Sequence, residues 1–256
     1  MTIIPFSFPG LPNIQAAFTT RLGGVSQGPY AEANFSLEVG DEDARVLANR
    51  QILQRRLDFG HWFETRQVHG VEMIIEPGPP SAGTDAGTGD DAVSPRPTLE
   101  ADGSATSRPG LALIVKIADC QPILLAHRGG RHVAALHCGW RGNRQGFPQK
   151  GVAAFCRAYN LRPEDVLAVR GPSLGPGASE FVNFELEWGD AFLDYFDSEA
   201  KTVDLWRLTR DQLLAAGLRP AHVFGLDLCT AGLPETFFSY RRDKTTGRQV
   251  GLIRIA

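Results

Sequence analysis

The 256 residues, 43% of them hydrophobic, can bury a substantial core, and one large domain covering residues 1–256 is expected rather than two small ones. With 26 basic against 29 acidic residues the net charge is -3, and no basic block is long enough to grip nucleic acid, so a small, neutral partner fits better. MTIIPFSFPG at the amino terminus has no charged region followed by an apolar one, and no run of about 18 apolar residues could span a membrane.

A soluble, cytoplasmic protein is therefore expected. The four cysteines, Cys120, Cys138, Cys156 and Cys229, form no CxxC pair, which argues against a disulfide framework and leaves metal binding or nucleophilic chemistry as their uses.

In chain order, Asp41 and Asp43 offer caps to a first helix whose Val46, Arg50, Leu53 and Leu57 recur at three-to-four spacing. QVHGVEMIIEP, residues 67–77, has the β-branched and apolar content of a strand, with His69 near its start and Pro77 closing it. Residues 77–100 are rich in Pro, Gly, Asp and Thr with almost no large apolar side chains. They read as a flexible surface excursion, or as a lid.

Strand content dominates from residue 111. LALIVKIADC leads to Cys120, PILLAH follows, and the Gly129-Gly130 pair turns a hairpin into HVAALHCGW. Helices are predicted over 148–159, with Pro148 in the first turn, over 185–196, and over 206–216, ended by Gly217. Strands are predicted at 165–170 and 221–228, and FFSYRRDKTTGRQVGLIRIA reads as a final hairpin turning at Thr246-Gly247. Mixed strands and helices imply α/β or α+β packing without the regular alternation of a (β/α)8 barrel.

Three positions stand out for chemistry. His69 in QVHG, Cys120 in ADCQP and His137 in HCGWRG each place a metal-ligating side chain at a strand end beside a turn. Two imidazoles and a thiolate suit zinc, and three protein ligands leave a position open for water or substrate, as a catalytic site requires.

These stretches carry a resemblance. FTTRLGGVSQGPY, the NR pair at 49–50, QVHG, ADGSAT, ADCQPILL, HCGWRG, RGPSLGP, QLLAAGL and FFSYRRDKTTGR stand in the order seen in the YfiH-like family. That family is also called the polyphenol oxidase, laccase-domain or peptidoglycan-editing-factor family, and the resemblance runs from about residue 17 to the end. It implies a single-domain α/β/β/α layered sandwich with mixed sheets and a metal site at His69, Cys120 and His137.

The resemblance further implies a zinc-dependent purine nucleoside phosphorylase acting on adenosine, inosine, guanosine and methylthioadenosine, with adenosine deaminase activity beside it. Its partners would be a purine nucleoside and phosphate. Phosphorolysis holds phosphate against C1' of the ribose while the purine leaves, so arginines are needed, and Arg21, Arg50 and Arg141 are the candidates. Asn34 and Gln67 are candidates to orient the sugar or base, or to pin a loop. Asp119, next to Cys120, is a candidate to orient a ligand imidazole.

Two departures from the family pattern stand out, of which the first bears on substrate preference and the second does not touch the proposed ligands. Gly177, Ala178 and Ser179 stand where relatives carry a Cys-Cys-Tyr-like run before Glu180, and Gly103 in ADGSAT replaces a more usual small residue. The deaminase motif H-x-E with P-C-x-x-C is absent, so deamination would need other proton-transfer groups.

Other readings stay open. Copper-dependent phenol oxidation suits an imidazole-rich site, against which stand six histidines and no His-x-His pair. A cysteine hydrolase acting on cell-wall precursors would use Cys120 as nucleophile and His137 as base. A structural zinc would need a fourth ligand, for which Cys138 is the candidate, although core packing suits Cys138 better.

Overall fold

The computed structural model describes residues 1–78 and 96–256. Strands β1 (Ile3–Phe6) and β2 (Ile14–Thr19) come first, then helix α1 (Asp43–Leu57). Strands β3 (His61–Glu64), β4 (Met73–Ile75), β5 (Gly103–Thr106), β6 (Leu111–Ile117), β7 (Gln121–His127) and β8 (Val133–Cys138) follow. Helices α2 (Trp140–Arg144) and α3 (Phe147–Tyr159) lead to β9 (Val166–Arg170). The remainder comprises α4 (Phe184–Glu187), the short pair β10 (Phe196–Asp197) and β11 (Thr202–Val203), α5 (Leu205–Ala215), β12 (Val223–Gly225), α6 (Tyr240–Asp243) and β13 (Gln249–Ile255).

Alternation of side chains across the strands explains how these elements layer. In β6, Leu111, Leu113 and Val115 face one way, while Ala112 and Ile114 face the other. The first set meets Leu124 and Ala126 of β7, Val133 and Ala135 of β8, and Leu167 and Val169 of β9 in a core between two sheets. The second set packs beneath α1 with Leu53, Trp62 and Leu252. On the far side, Ile123, Leu125, Ala134 and Leu136 lie against Val152 and Phe155 of α3 and Leu213 of α5.

The result is an α/β/β/α sandwich with mixed sheets. One sheet has the order β1-β2-β13-β6-β3 and the other β12-β9-β7-β8-β5-β4, each with parallel and antiparallel pairs. Close approach between the sheets depends on absent side chains. A Cβ at Gly171 would fall 2.2 Å from the Phe18 ring, and one at Gly251 2.7 Å from Pro122.

Several expectations hold and others are corrected. The β7–β8 hairpin pairs Ala126 with Val133 across the Gly129-Gly130 turn, α3 spans Phe147–Tyr159 with Pro148 in its first turn, and Gly217 at φ +99 follows α5. The strand expected over 67–77 shrinks to Met73–Ile75, because the backbone N–H groups of 68–70 turn inward to Asp102.

The helix expected over 185–196 is one turn, α4, followed by a 3-10 segment. Gly189 at φ +86 breaks it, although Phe184, Trp188 and Phe192 still join one aromatic cluster. No final hairpin forms. Residues 240–243 are helical, and β13 pairs instead with the distant β2 and β6. The strand at 221–228 is only Val223–Gly225. Of the excursion expected over 77–100, residues 79–95 lie outside the described residues.

Arg50 corrects a functional expectation. It is 0% exposed on the buried face of α1, where Nε and Nη2 donate to the Phe35 carbonyl and Nη2 pairs with Glu64 at 2.8 Å. Glu64 also meets Lys116 Nζ at 3.2 Å, and the guanidinium lies 5.0 Å from the Trp62 ring. A charge placed there stabilises the packing of α1 on its sheet and is sealed from any phosphate. Arg50→Ala should cost about 3 kcal/mol or more in urea unfolding, because Glu64 loses its principal partner inside the core.

Candidate metal centre

Asp102, immediately before β5, organises the site. It is 0% exposed, and both carboxylate oxygens are occupied. Oδ1 accepts from the His69 backbone N–H at 3.0 Å and lies 2.8 Å from His137 Nδ1. Oδ2 accepts from Val68 and Gly70 at 3.1 and 2.6 Å. Burial would raise its carboxyl, but the hydrogen bond and charge of His137 and the backbone N–H groups outweigh this and hold it below the ordinary range.

One carboxylate therefore folds the QVHG turn and orients the histidine of HCGWRG. His69 takes φ +59 in that turn. His137, at the end of β8, offers only Nε2 to the cleft, since Nδ1 faces Asp102.

Cys120 stands between β6 and β7, aimed by a strained neighbour. Asp119 has φ +100, a conformation that costs a non-glycine residue about 1–3 kcal/mol. It is held there by Thr230 Oγ1 at 2.7 Å, the Arg241 backbone N–H at 2.6 Å and, through its own carbonyl, Leu174 N–H at 2.8 Å. Asp119 thus positions Cys120, whereas the expected role of orienting an imidazole falls to Asp102.

The ligand atoms of His69, Cys120 and His137 all lie within 4.8 Å of one another, with Cys120 Sγ 3.8 Å from His69 Nε2. The imidazole rings are 5.0 Å apart at 73°. In a tetrahedral zinc centre sulfur and nitrogen ligands stand about 3.6 Å apart, so this donor set fits the ion. Space is kept beside it by Gly139, where a Cβ would come within 2.7 Å of Cys120 Sγ and 3.2 Å of His69 Cδ2.

Without a metal the trio holds a thiolate beside an imidazolium. Burial alone would raise the Cys120 thiol, but the charge of His137 and hydrogen bonds from both imidazoles bring it down to about 6. His137, which burial would lower, is raised to about 9 by the Cys120 and Asp102 charges. Cys138 is not a fourth ligand. Its side chain lies in the core beneath α3, where burial pushes its thiol well up.

The trio opens into a cleft of about 800 Å3. Gln67 and Arg141 line it; Arg21, Asn34 and Arg50 do not. Gln67 clamps the backbone of Lys116, donating to its carbonyl and accepting from its N–H at 2.8 Å each. Arg141 is exposed with its guanidinium 4.4 Å from the Trp140 ring.

Arg21 instead ties two loops together, donating to the carbonyls of Ala31 and Pro234 at 3.0 Å each. Asn34 is buried and pins Ser36, Asp41 and the Arg248 backbone. Cleft residues that the sequence reading passed over include Phe181, Tyr240, Arg241, Lys244 and Arg248. Four of these five stand in the quoted run FFSYRRDKTTGR, whose charge density was the available signal.

Gly103, one of the two departures, has a packing cause. A Cβ there would lie 2.8 Å from Met73 Cγ, 3.0 Å from Leu136 Cδ2 and 3.1 Å from Phe147 Cζ.

Comparison with known proteins agrees with this architecture. The family described as "Multi-copper polyphenol oxidoreductase laccase" matches residues 15–256. A protein of Escherichia coli (strain K12) named purine nucleoside phosphorylase YfiH is 35% identical over 262 residues, covering 98% of this chain and 97% of its own. Pseudomonas aeruginosa has a 32% identical relative named purine nucleoside phosphorylase PA4543, covering 96% and 95% of the two chains.

The crystal structure of YlmD from Geobacillus stearothermophilus superposes with a TM-score of 0.81 at 30% identity, covering 96% of this chain and 93% of that one. That of Neisseria meningitidis protein NMB0706 gives 0.82 at 30% identity over 100% and 99%. Sequence and fold together make this chain a member of the multi-copper polyphenol oxidoreductase laccase family, the YfiH-like proteins.

Proposed function

We propose that the chain is a zinc-dependent purine nucleoside phosphorylase that cleaves adenosine, inosine, guanosine and methylthioadenosine, with adenosine deamination as an accessory activity. The observation that carries the reading is the open cleft in which His69, Cys120 and His137 converge while basic and aromatic side chains line the walls. The relatives' names as purine nucleoside phosphorylases support it. Four free cysteines suit a cytoplasmic enzyme.

His69, Cys120 and His137 would hold the zinc, which supplies a Lewis acid able to polarise an oxygen or lower the pKa of bound water to about 7. The chain's own residues do the rest. Trp140, Phe181 and Tyr240 give the cleft aromatic surface against which a purine can stack. In phosphorolysis an oxygen of hydrogenphosphate bonds to C1' as the C1'–N9 bond breaks. The bonding pair leaves with the base, which ends with the proton that phosphate brought. Cationic side chains in the cleft stabilise the attacking phosphate.

Copper-dependent phenol oxidation is the weaker metal chemistry for this cleft. Among the described residues, three ligands form one group, which could hold a single ion and lacks the imidazole-rich clusters of a multicopper oxidase.

A second reading is favoured by a specific arrangement. Asp102, His137 and Cys120 stand in sequence as acid, imidazole and thiol, which without metal would serve a cysteine hydrolase or amidase acting on cell-wall precursors.

His69→Ala or Cys120→Ala should remove zinc and nucleoside cleavage together, as read by metal analysis and by free base and ribose 1-phosphate formed from inosine and phosphate. Retained phosphorolysis without zinc would overturn the proposal. Asp102→Asn should keep the three candidate ligands but weaken zinc binding about 10- to 100-fold in chelator competition, since the His137 imidazole and the backbone turn that carries His69 lose their charged partner.

The two readings separate by alkylation of Cys120. In metal-stripped protein its rate should rise with pH and level off above about 6, far below the ordinary thiol value of 9.0. The zinc-loaded protein should resist. Stoichiometric labelling of the purified protein with no zinc released would favour the hydrolase.

A further inference from the structure

Phosphorolysis needs a cation for the incoming phosphate, yet Arg50 is sealed in the core and Arg21 holds loops together outside the cleft. Four other cations line the cleft without a carboxylate partner among the described residues: Arg141, Arg241, Lys244 and Arg248. Lys116, the fifth, is neutralised between Glu38 and Glu64 at 3.1 and 3.2 Å. In a chain of net charge -3, four unpaired positive groups around one cleft mark a site for an anion.

The four are not equivalent. Arg241 gives Nη1 to the Glu180 carbonyl at 2.8 Å and stands 5.7 Å from the Phe181 ring, bracing the wall. Arg141 and Lys244 are exposed beside Trp140 and Tyr240. Arg248 is half-buried and held rigidly. Its backbone N–H donates to Asn34 Oδ1 at 2.9 Å, and its carbonyl accepts from Phe35 N–H at 3.0 Å.

Arg248 Nη1 donates to the carbonyls of Thr246 and Gly247 at 2.9 Å each. Its Nε and Nη2 have no acceptor among the described residues, and this edge of a guanidinium suits two oxygens of one oxyanion. Burial pushes its pKa down, and the charges of Cys120 and Asp119 act on it in the opposite sense, placing Arg248 within electrostatic reach of the metal ligands.

We infer that Arg248 is the phosphate-binding residue of this enzyme, with Lys244 and Arg141 supplying further positive charge at the cleft's exposed side; this rests on the phosphorylase reading. The fixed backbone presents a preorganised fork to phosphate beside the metal trio. The nucleoside takes the aromatic part of the cleft. Asn34, expected to touch sugar or base, acts from beneath by holding Arg248.

The test uses zinc-loaded protein and inorganic phosphate as the probe. Arg248→Met should raise the KM for phosphate tenfold or more while the KM for inosine stays within about twofold, and Arg248→Lys should recover part of the loss. Lys244→Gln, on an exposed side chain, should raise the phosphate KM several-fold even if Arg248→Met fails to fold. Folded variants with an unchanged phosphate KM would overturn the inference and leave the phosphorylase reading standing. Calorimetry with phosphate alone separates the other case. Wild-type binding that Lys244→Gln and Arg248→Met weaken, with no ribose 1-phosphate formed from any nucleoside, would support the anion site and sink the phosphorylase.

Discussion

The site depends on one buried carboxylate. Asp102 accepts three consecutive backbone N–H groups from residues 68–70 and faces His137 Nδ1, so two ligands from distant parts of the chain are set by a single group. Burying an ion is costly unless its hydrogen-bonding capacity is met, and here every contact that meets it also fixes a ligand. The same contacts make Asp102 more acidic, which keeps it charged and holds His137 by Nδ1, leaving Nε2 for the cleft.

The other ligand is held by strain in place of charge. Asp119 sits at φ +100 because its carboxylate and carbonyl are tied to Thr230, Arg241 and Leu174, three residues from the later half of the chain. Those ties reach the segments that wall the cleft, so ligand placement and cleft shape are set together. Gly139 completes the arrangement by leaving bare the volume a Cβ would take from Cys120 and His69. Two sheets supply the rigid frame, since β6 ends before Cys120 and β8 carries His137.

Local signals made much of this legible. Nearly continuous apolar runs in 111–138 mark the central strands and their hairpin, and glycine and proline at the ends of 147–217 mark two helices. Residue type at strand ends singles out His69, Cys120 and His137, and the fold brings them together into a group that could hold a metal. What escaped was set by partners far away. QVHG reads as a strand, but three of its N–H groups meet Asp102, and RQVGLIRIA reads as half of a hairpin although its partners lie more than a hundred residues away in β2 and β6. Asp102 itself, between alanine and glycine, carries no mark of its role in sequence.

Arginines show the limit most sharply, because the same side chain serves opposite ends. Arg50 recurs on the apolar face of α1 and meets Glu64, so its charge is consumed in holding that helix to the sheet. Arg248 also meets backbone carbonyls, but they take only one of its nitrogens, and no carboxylate among the described residues forms an ion pair with it. Arg50 is fully buried with an acid at its side, whereas Arg248 is half-buried without an ion-pair partner among the described residues. On the proposed phosphorylase reading, the counter-ion of such cations arrives with the substrate, and in this protein they come from the segments around Arg141 and Arg248 that line the cleft beside His69, Cys120 and His137.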